Sequence, residues 1–224
     1  MNIGRVFTEA FPLLLKGLAV TIEITIISLV IAFVLGLIAC LCNRSKAKIL
    51  SMPAQFYIWI IRGTPLMVQT FFVYFGVPQV LQQMGFDFRM SAFTAGVITL
   101  SLNAGAYLAE IFRGGISAID IGQTEAARSL GMSKGSTMFK VILPQALRIC
   151  VPSMVNQVMI TLKDTSIIQV ISLMEIVYQA KIYIGRTMES FATWTVVALL
   201  YLALISIVSW LGKQLERKLN HDSK

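Results

Sequence analysis

The sequence is poor in the side chains that most soluble chemistry uses. Of its 224 residues only 13% are charged, with 11 acidic residues, one histidine and three cysteines. That shortage excludes an ordinary soluble domain, in which about a quarter of residues are charged. Cys40, Cys42 and Cys150 fall in or beside apolar runs and His221 stands alone in the tail. No metal site or disulfide framework is expected, and the cysteines read as small apolar filler. No G-x-x-x-x-G-K-[ST] phosphate loop occurs, so no P-loop nucleotide site is expected in this chain. No internal repeat or inverted half is visible.

Apolar residues are plentiful. The chain is 56% hydrophobic with a mean hydropathy of +0.75. Apolar runs at 24–42, 63–86, 90–109 and 190–212 approach or exceed the ~20 residues that carry a helix across ~30 Å of hydrocarbon. A shorter run, 149–162, spans if Arg148 and Lys163 snorkel to the interfaces or if its polar end lies in a protein-lined cavity. The expectation is an all-α integral membrane bundle of five transmembrane helices forming one domain over 1–224. Pro12 and Glu23 precede the first run and no small-x-small site follows it, so it is expected to be a retained span rather than a cleaved signal.

The net charge of +8 is spread over loops rather than gathered in a nucleic-acid patch. Arg44, Lys46 and Lys48 follow the first span; Arg113, Arg128, Lys134, Lys140 and Arg148 lie between the third and fourth; Lys213, Arg217, Lys218 and Lys224 close the chain. The alternate set, Arg5, Lys16, Arg89, Lys163, Lys181 and Arg186, is half as rich. The positive-inside rule therefore places the N-terminus outside and the C-terminus in the cytoplasm.

Residues 1–20 carry Phe7, Phe11, Leu13, Leu14 and Leu18 at helical spacing and read as an interfacial segment. At Arg62-Gly63-Thr64-Pro65 the chain is expected to break, with Thr64 capping a new helix that holds Pro65 in its first turn. Arg62 either bonds carbonyls freed by the break or lines the cytoplasmic half of a route through the bundle. Gly114 and Gly115 are expected to stop the third span. Residues 163–189, polar at their ends, read as one or two short helices on the outer side, and 213–224 as a cytoplasmic tail.

Residues 116–147 form the largest expected cytoplasmic piece. Within them "GQTEAARSLGMSKGSTMFKVILPQAL" predicts a short helix capped by Thr124, a turn at Gly131, a second helix capped by Ser133 or Ser136, and an interruption or restart at Pro144. Ala126 and Ala127 either permit close approach by another surface, with Glu125 and Arg128 at its rim, or serve helix propensity alone.

This stretch resembles the EAA loop of the membrane subunits of bacterial ABC importers. Glu125-Ala126-Ala127 is followed at the family's spacing by Gly131 and then by Leu143-Pro144, with Val141 where the family has isoleucine. "IIRGTPLMVQTFFVYFG", "AYLAEIFRGGISAIDIGQTEAARSLGMS", "VILPQALRICVPSMVNQ" and "LKDTSIIQVIS" are similar to the permeases of polar amino-acid importers of the type I fold. The resemblance implies that Gly122, Glu125, Ala126, Ala127, Arg128, Gly131, Leu143 and Pro144 belong to a coupling segment seated in an ATPase subunit. It also implies two such ATPases binding ATP and Mg, a second permease copy or paralogue, an external amino-acid-binding protein, and the inner membrane of a bacterium. The chain itself would be no enzyme and hold no cofactor.

Polar residues inside the spans are the candidates for a solute pathway, because each is costly in hydrocarbon. Glu23 is either interfacial or on the route. Ser101, Asn103, Tyr107 and Glu110 lie along one irregular stripe of the third span, where Asn103 explains a helix–helix hydrogen bond as well as a solute contact. Asn156, Gln157, Thr161, Lys163, Asp164 and Thr165 make the fourth span the richest. Lys163 and Asp164 either meet the two charges of an amino acid or pair and cap locally. An ion-coupled carrier is the alternative, and it predicts a buried acidic or histidine relay and repeated halves.

Overall fold

In the computed structural model residues 3–221 are described, with side chains from Thr8 to Leu219. The expectations resting on the side chains of Arg5, Phe7, His221 and Lys224 lie outside that set. Eight helices follow one another among the described residues: α1 (Ile3–Asn43), α2 (Lys48–Arg62), α3 (Leu66–Gln83), α4 (Ala92–Ser117), α5 (Ile121–Ser129), α6 (Lys134–Ile171), α7 (Ile176–Thr187) and α8 (Ser190–His221). Helices α1, α4, α6 and α8 are each long and apolar enough to cross a membrane, and α2 with α3, bent by 111° at their break, together have the length and apolarity of a fifth, broken span.

Length is set by where the backbone can stop without leaving unpaired groups in lipid. The segment expected to be interfacial runs without interruption into the first span, and Pro12 is accommodated inside α1. The short fourth run is the middle of a 38-residue helix, about 57 Å long, so its shortness was a matter of composition rather than of backbone. Pro144 does not interrupt that helix. A π turn at Met138–Ile142 contains Lys140, the residue whose carbonyl the proline ring would otherwise strike, and widening the turn lets the helix continue. Pro78 in α3 repeats the arrangement behind the π turn at Phe72–Gly76. At its far end α6 runs through Lys163 to a closing 3-10 turn at Gln169–Ile171. Of the 163–189 segment, only α7 is therefore a separate helix.

The core is held by close backbone approach. Helix α1 packs most extensively on α4, and α4 in turn on α6. A Cβ on Gly36 would lie 2.7 Å from Leu108 Cβ and 2.9 Å from the Gly105 carbonyl, and one on Gly17 would lie 2.7 Å from Ile176 Cα. Small residues at such crossings are what association in lipid relies on, since lipid tails are as apolar as leucine. Gly114 and Gly115 do not stop α4, which continues to Ser117. Gly115 instead admits α6, because a Cβ there would meet Cys150 Sγ at 2.2 Å and the Ala146 carbonyl at 2.9 Å. Cys40 and Cys150 are buried and Cys42 half-buried.

The turn between α6 and α7 is built on a fully buried carboxylate. Glu175 caps α7, accepting from the N–H groups of Tyr178 at 2.7 Å and Val177 at 3.0 Å, and Tyr201 of α8 donates to it at 3.4 Å. Burial pushes its carboxyl above the usual range, against the lowering effect of those bonds. Ala10 and Leu14 of α1, Ile176 and Ala180 of α7, and Val196 and Val197 of α8 pack around this turn.

The two adjacent glycines of α4 separate packing from propensity. Gly115→Ala is expected to destabilise the detergent-solubilised protein by about 1–3 kcal/mol through overpacking. Gly114→Ala, where a Cβ meets nothing within 4 Å, is expected to stabilise it by up to about 1 kcal/mol. Thermal unfolding midpoints of the two variants check the contrast.

Candidate functional site

The expected coupling segment is a rigid knob. Helix α5 begins at Asp120, whose carboxylate accepts from the Gly122 N–H at 2.7 Å, so the cap is Asp120 and not Thr124. It ends in a Schellman arrangement: the Gly131 N–H bonds the Arg128 carbonyl at 3.0 Å and the Met132 N–H bonds the Ala127 carbonyl at 3.2 Å. Gly131 has φ +82°, the left-handed conformation that this cap requires and that glycine adopts without strain. Ser133 caps α6, its Oγ accepting from the Ser136 N–H at 3.1 Å. The Arg128 guanidinium closes the turn onto the Met132 carbonyl.

The two alanines differ in exposure. Ala127 is only 5% exposed and sits on the side of α5 that packs on the π turn of α6, whereas Ala126 and Glu125 are exposed. Of the two, Ala126 is the one accessible from outside, and Ala127 is the buried residue of α5. Sequence reasoning missed the apolar rim, Ile121 at 73% and Leu130 at 84% exposure; a leucine at a helix C-cap beside glycine was the available signal. Leu143 is buried and Pro144 exposed.

The polar residues of α6 divide between two faces. Gln157, Thr161 and Thr165 are buried inside the subunit. Their hydroxyls bond within the helix, Thr161 Oγ1 to the Gln157 carbonyl at 2.9 Å and Thr165 Oγ1 to the Leu162 carbonyl at 2.7 Å. Asn156 and Lys163 lie on the exposed face and Asp164 is half-buried. Ser166 Oγ donates to the Lys163 carbonyl at 2.6 Å rather than to Asp164. Glu23 is exposed on α1, on a stripe that also holds Ile26, Ile27 and Val30.

The stripe on α4 meets the broken span. Asn103 is buried and its amide donates to Gln69 Oε1 at 3.0 Å. Ser101 is buried with no hydrogen-bond partner among the described residues. Glu110 accepts two bonds from Arg113, at 2.9 and 3.1 Å, and pairs with Arg62 at 3.3 Å. The Arg62 guanidinium lies over the Tyr107 ring, 5.5 Å from its centroid, within reach of a cation–π contact. Arg62, Gly63, Tyr107 and Glu110, with Gln55 and Trp59 of α2, line an open pocket of about 520 Å3.

Arg62 thus turns outward to α4 and the pocket and does not repair the break. Pro65 occupies the N-cap position of the new helix, and Thr64 Oγ1 donates back to the Ile60 carbonyl at 2.8 Å instead of capping forward. The freed carbonyls are bonded by Gln69, whose Nε2 donates to Ile61 O at 2.7 Å and Thr64 O at 3.0 Å. Gln69 was not anticipated, although a lone amide inside the apolar run 66–75 is a costly residue whose placement needs a reason.

A family model described as the inner membrane component of binding-protein-dependent transport systems matches residues 32–221. The arginine transport system permease protein of Bacillus subtilis is 39% identical, with 93% of each chain covered. The glutamine transport system permease protein of Escherichia coli is 38% identical over 94% of each. Among solved structures, an amino acid ABC transporter crystallised with histidines superposes with a TM-score of 0.86 at 38% identity, covering 95% of this chain and 96% of the other. A methionine ABC transporter in an inward-facing conformation, 20% identical, shares the fold with a TM-score of 0.75 over 92% and 96% of the two chains.

The glycine of the knob offers a local test. Gly131→Ala forces an L residue into a left-handed turn and is expected to cost about 1 kcal/mol, loosening the amides of α5. Gly135→Ala, where φ is negative and a Cβ meets nothing within 4 Å, is expected to leave them unchanged. Amide hydrogen exchange over residues 121–132 distinguishes the two.

Proposed function

The chain belongs to the family of inner membrane components of binding-protein-dependent transport systems, and from that membership we propose that it is the permease of an ABC importer for polar amino acids. The observation that carries the cargo class is the near-complete match, at 38% identity and a TM-score of 0.86, to an amino acid ABC transporter. The family sets aside the ion-coupled carrier, the other reading that polar spans permit.

In this reading two ATPase subunits bind ATP and Mg, and each receives an α5 knob through Ile121, Glu125, Ala126 and Leu130, with Gly122 and Arg128 at its ends. A second copy or a paralogue completes the bundle, and an external amino-acid-binding protein delivers the solute. The chain lies in a bacterial inner membrane with its N-terminus outside and its C-terminus in the cytoplasm, as the loop charges favour. ATP binding and hydrolysis favour alternate conformations of the pair, which is what alternating access requires.

The knob is suited to transmit force because its inner face is fastened. Helix α5 packs on the π turn at Met138–Ile142 and buries Ala127, and Leu143 and Pro144 follow directly into α6. A displacement of α5 therefore moves α6, whose exposed face carries Asn156 and Lys163, with Asp164 beside them. The pocket beside the break offers an amino acid two complementary groups. The Arg62 guanidinium, held to Glu110 by one contact, keeps donors for a carboxylate, and the Tyr107 ring is a face for an ammonium group. Lys163 and Asp164, at the other end of the bundle, are the candidate outer contacts, with Glu23 beside that entrance.

The assembled transporter in proteoliposomes tests this. ATP-driven uptake of a labelled polar amino acid is expected only with ATPase subunits and binding protein present, and a competition panel of amino acids identifies the cargo. Ala126→Trp is expected to lower uptake by about tenfold or more without loss of the permease from the membrane. Uptake by the permease alone overturns the assignment.

A further inference from the structure

The break between α2 and α3 is closed by one side chain, and that side chain is gripped by α4. At the 111° break the carbonyls of Ile60 and Thr64 have no helical donor, and Ile61 O has none because Pro65, four residues on, lacks an N–H; each needs another partner wherever water is scarce. Thr64 Oγ1 serves Ile60 O. Gln69 serves the other two and also reaches Thr64 Oγ1 at 3.0 Å, so its two N–H groups are shared among three oxygens. Ile61 O and Thr64 O can only accept, which fixes the orientation of the amide. The Gln69 Oε1 then points away from the break, and Asn103 Nδ2 donates to it at 3.0 Å. Both amides are buried.

A second grip lies two turns further along α4, where Glu110 holds Arg62 at 3.3 Å. The residue just before the break and the amide that closes it are thus both attached to one helix. That helix runs on to Ser117, and Asp120, the cap of α5, follows three residues later. At its end α4 is also tied to α6 through the Gly115 crossing.

We propose that Gln69 and Asn103 are a positioning pair through which α4 sets the angle of the broken span, and with it the place of Arg62 and Gly63 in the pocket. The pair is a switch point rather than a static brace. The amide of Gln69 keeps the break closed in either conformation, while the single bond to Asn103 makes the angle follow α4. The inference rests on the coupling role proposed for α5, because motion there is what drives α4.

The test uses the permease assembled with its ATPase subunits, carrying spin labels at Phe56 on α2 and Val80 on α3, both exposed. In the parent transporter the distance between the labels is expected to be narrow and to shift when nucleotide is trapped in the ATPases. Asn103→Leu and Gln69→Leu are each expected to broaden the distribution, abolish the shift and lower ATP-driven uptake by about tenfold. The double variant is expected to be no worse than either single one, as for residues acting as a unit. A parent distance that does not respond to nucleotide, or an Asn103→Leu transporter that keeps both the narrow distribution and its shift, overturns the proposal. If Gln69→Leu does not assemble, Asn103→Leu and Asn103→Ala decide it by the same measurement. A parent transporter whose labels respond to nucleotide but which takes up no amino acid refutes the cargo assignment and leaves the linkage standing.

Discussion

Hydrocarbon offers no partner to a backbone N–H or C=O, and that constraint shapes nearly every element of this molecule. Helices run far beyond the minimum for a span because stopping is what is costly. Before Pro78 and before Pro144 the chain widens into a π turn and continues, at Phe72–Gly76 and again at Met138–Ile142. Where the chain does stop in the bundle, between Arg62 and Leu66, the freed carbonyls are taken up by Gln69 and Thr64. A bend of 111° is thereby left with its carbonyls paired inside the chain.

The same constraint separates polar residues that link helices from those that do not. Thr25, Thr70, Thr99, Thr161 and Thr193 each donate to a carbonyl four residues back in their own helix. They are satisfied locally, and their burial carries no information about what lies across the interface. Asn103 and Gln69 have longer side chains with more groups to satisfy, and they find each other across 34 residues of sequence. Glycine does the complementary work. At Gly17, Gly36 and Gly115 the absence of a Cβ lets backbones meet, so dispersion contacts rather than polar bonds hold most of the bundle together.

These two facts explain what could be read in advance. Hydropathy identified the membrane bundle and its spans because it depends only on composition, and the residues around the Glu125-Ala126-Ala127 motif carried the family. Helix ends were harder. Gly114-Gly115 looks like a stop signal, but at Gly115 the demand comes from Cys150 and Ala146, thirty-odd residues away in α6. Thr124 looks like a cap, yet Asp120 holds a carboxylate at the end where the N–H groups point outward. The polar set on α6 was legible as a polar cluster, but spacing locates residues around a helix axis without saying which side another helix will cover. Gln157, Thr161 and Thr165 proved to be the covered side. The partners of Gln69 are dictated by the break it repairs, and an unusual backbone conformation has no periodic signal.

A coupling element has to be stiff in itself and firmly seated, since a loop that yields absorbs a displacement instead of passing it on. The segment between α4 and α6 meets both needs with few residues. Asp120 and Gly131 fix the two ends of α5, and Ala127 seats its inner face on a turn that is already part of α6. Ala127 is covered by the rest of the chain and Ala126 is exposed, so two adjacent alanines meet different surroundings. In the coupling role proposed for α5, its motion is passed to α4 and α6, which leave it in opposite chain directions toward the broken span and toward Lys163.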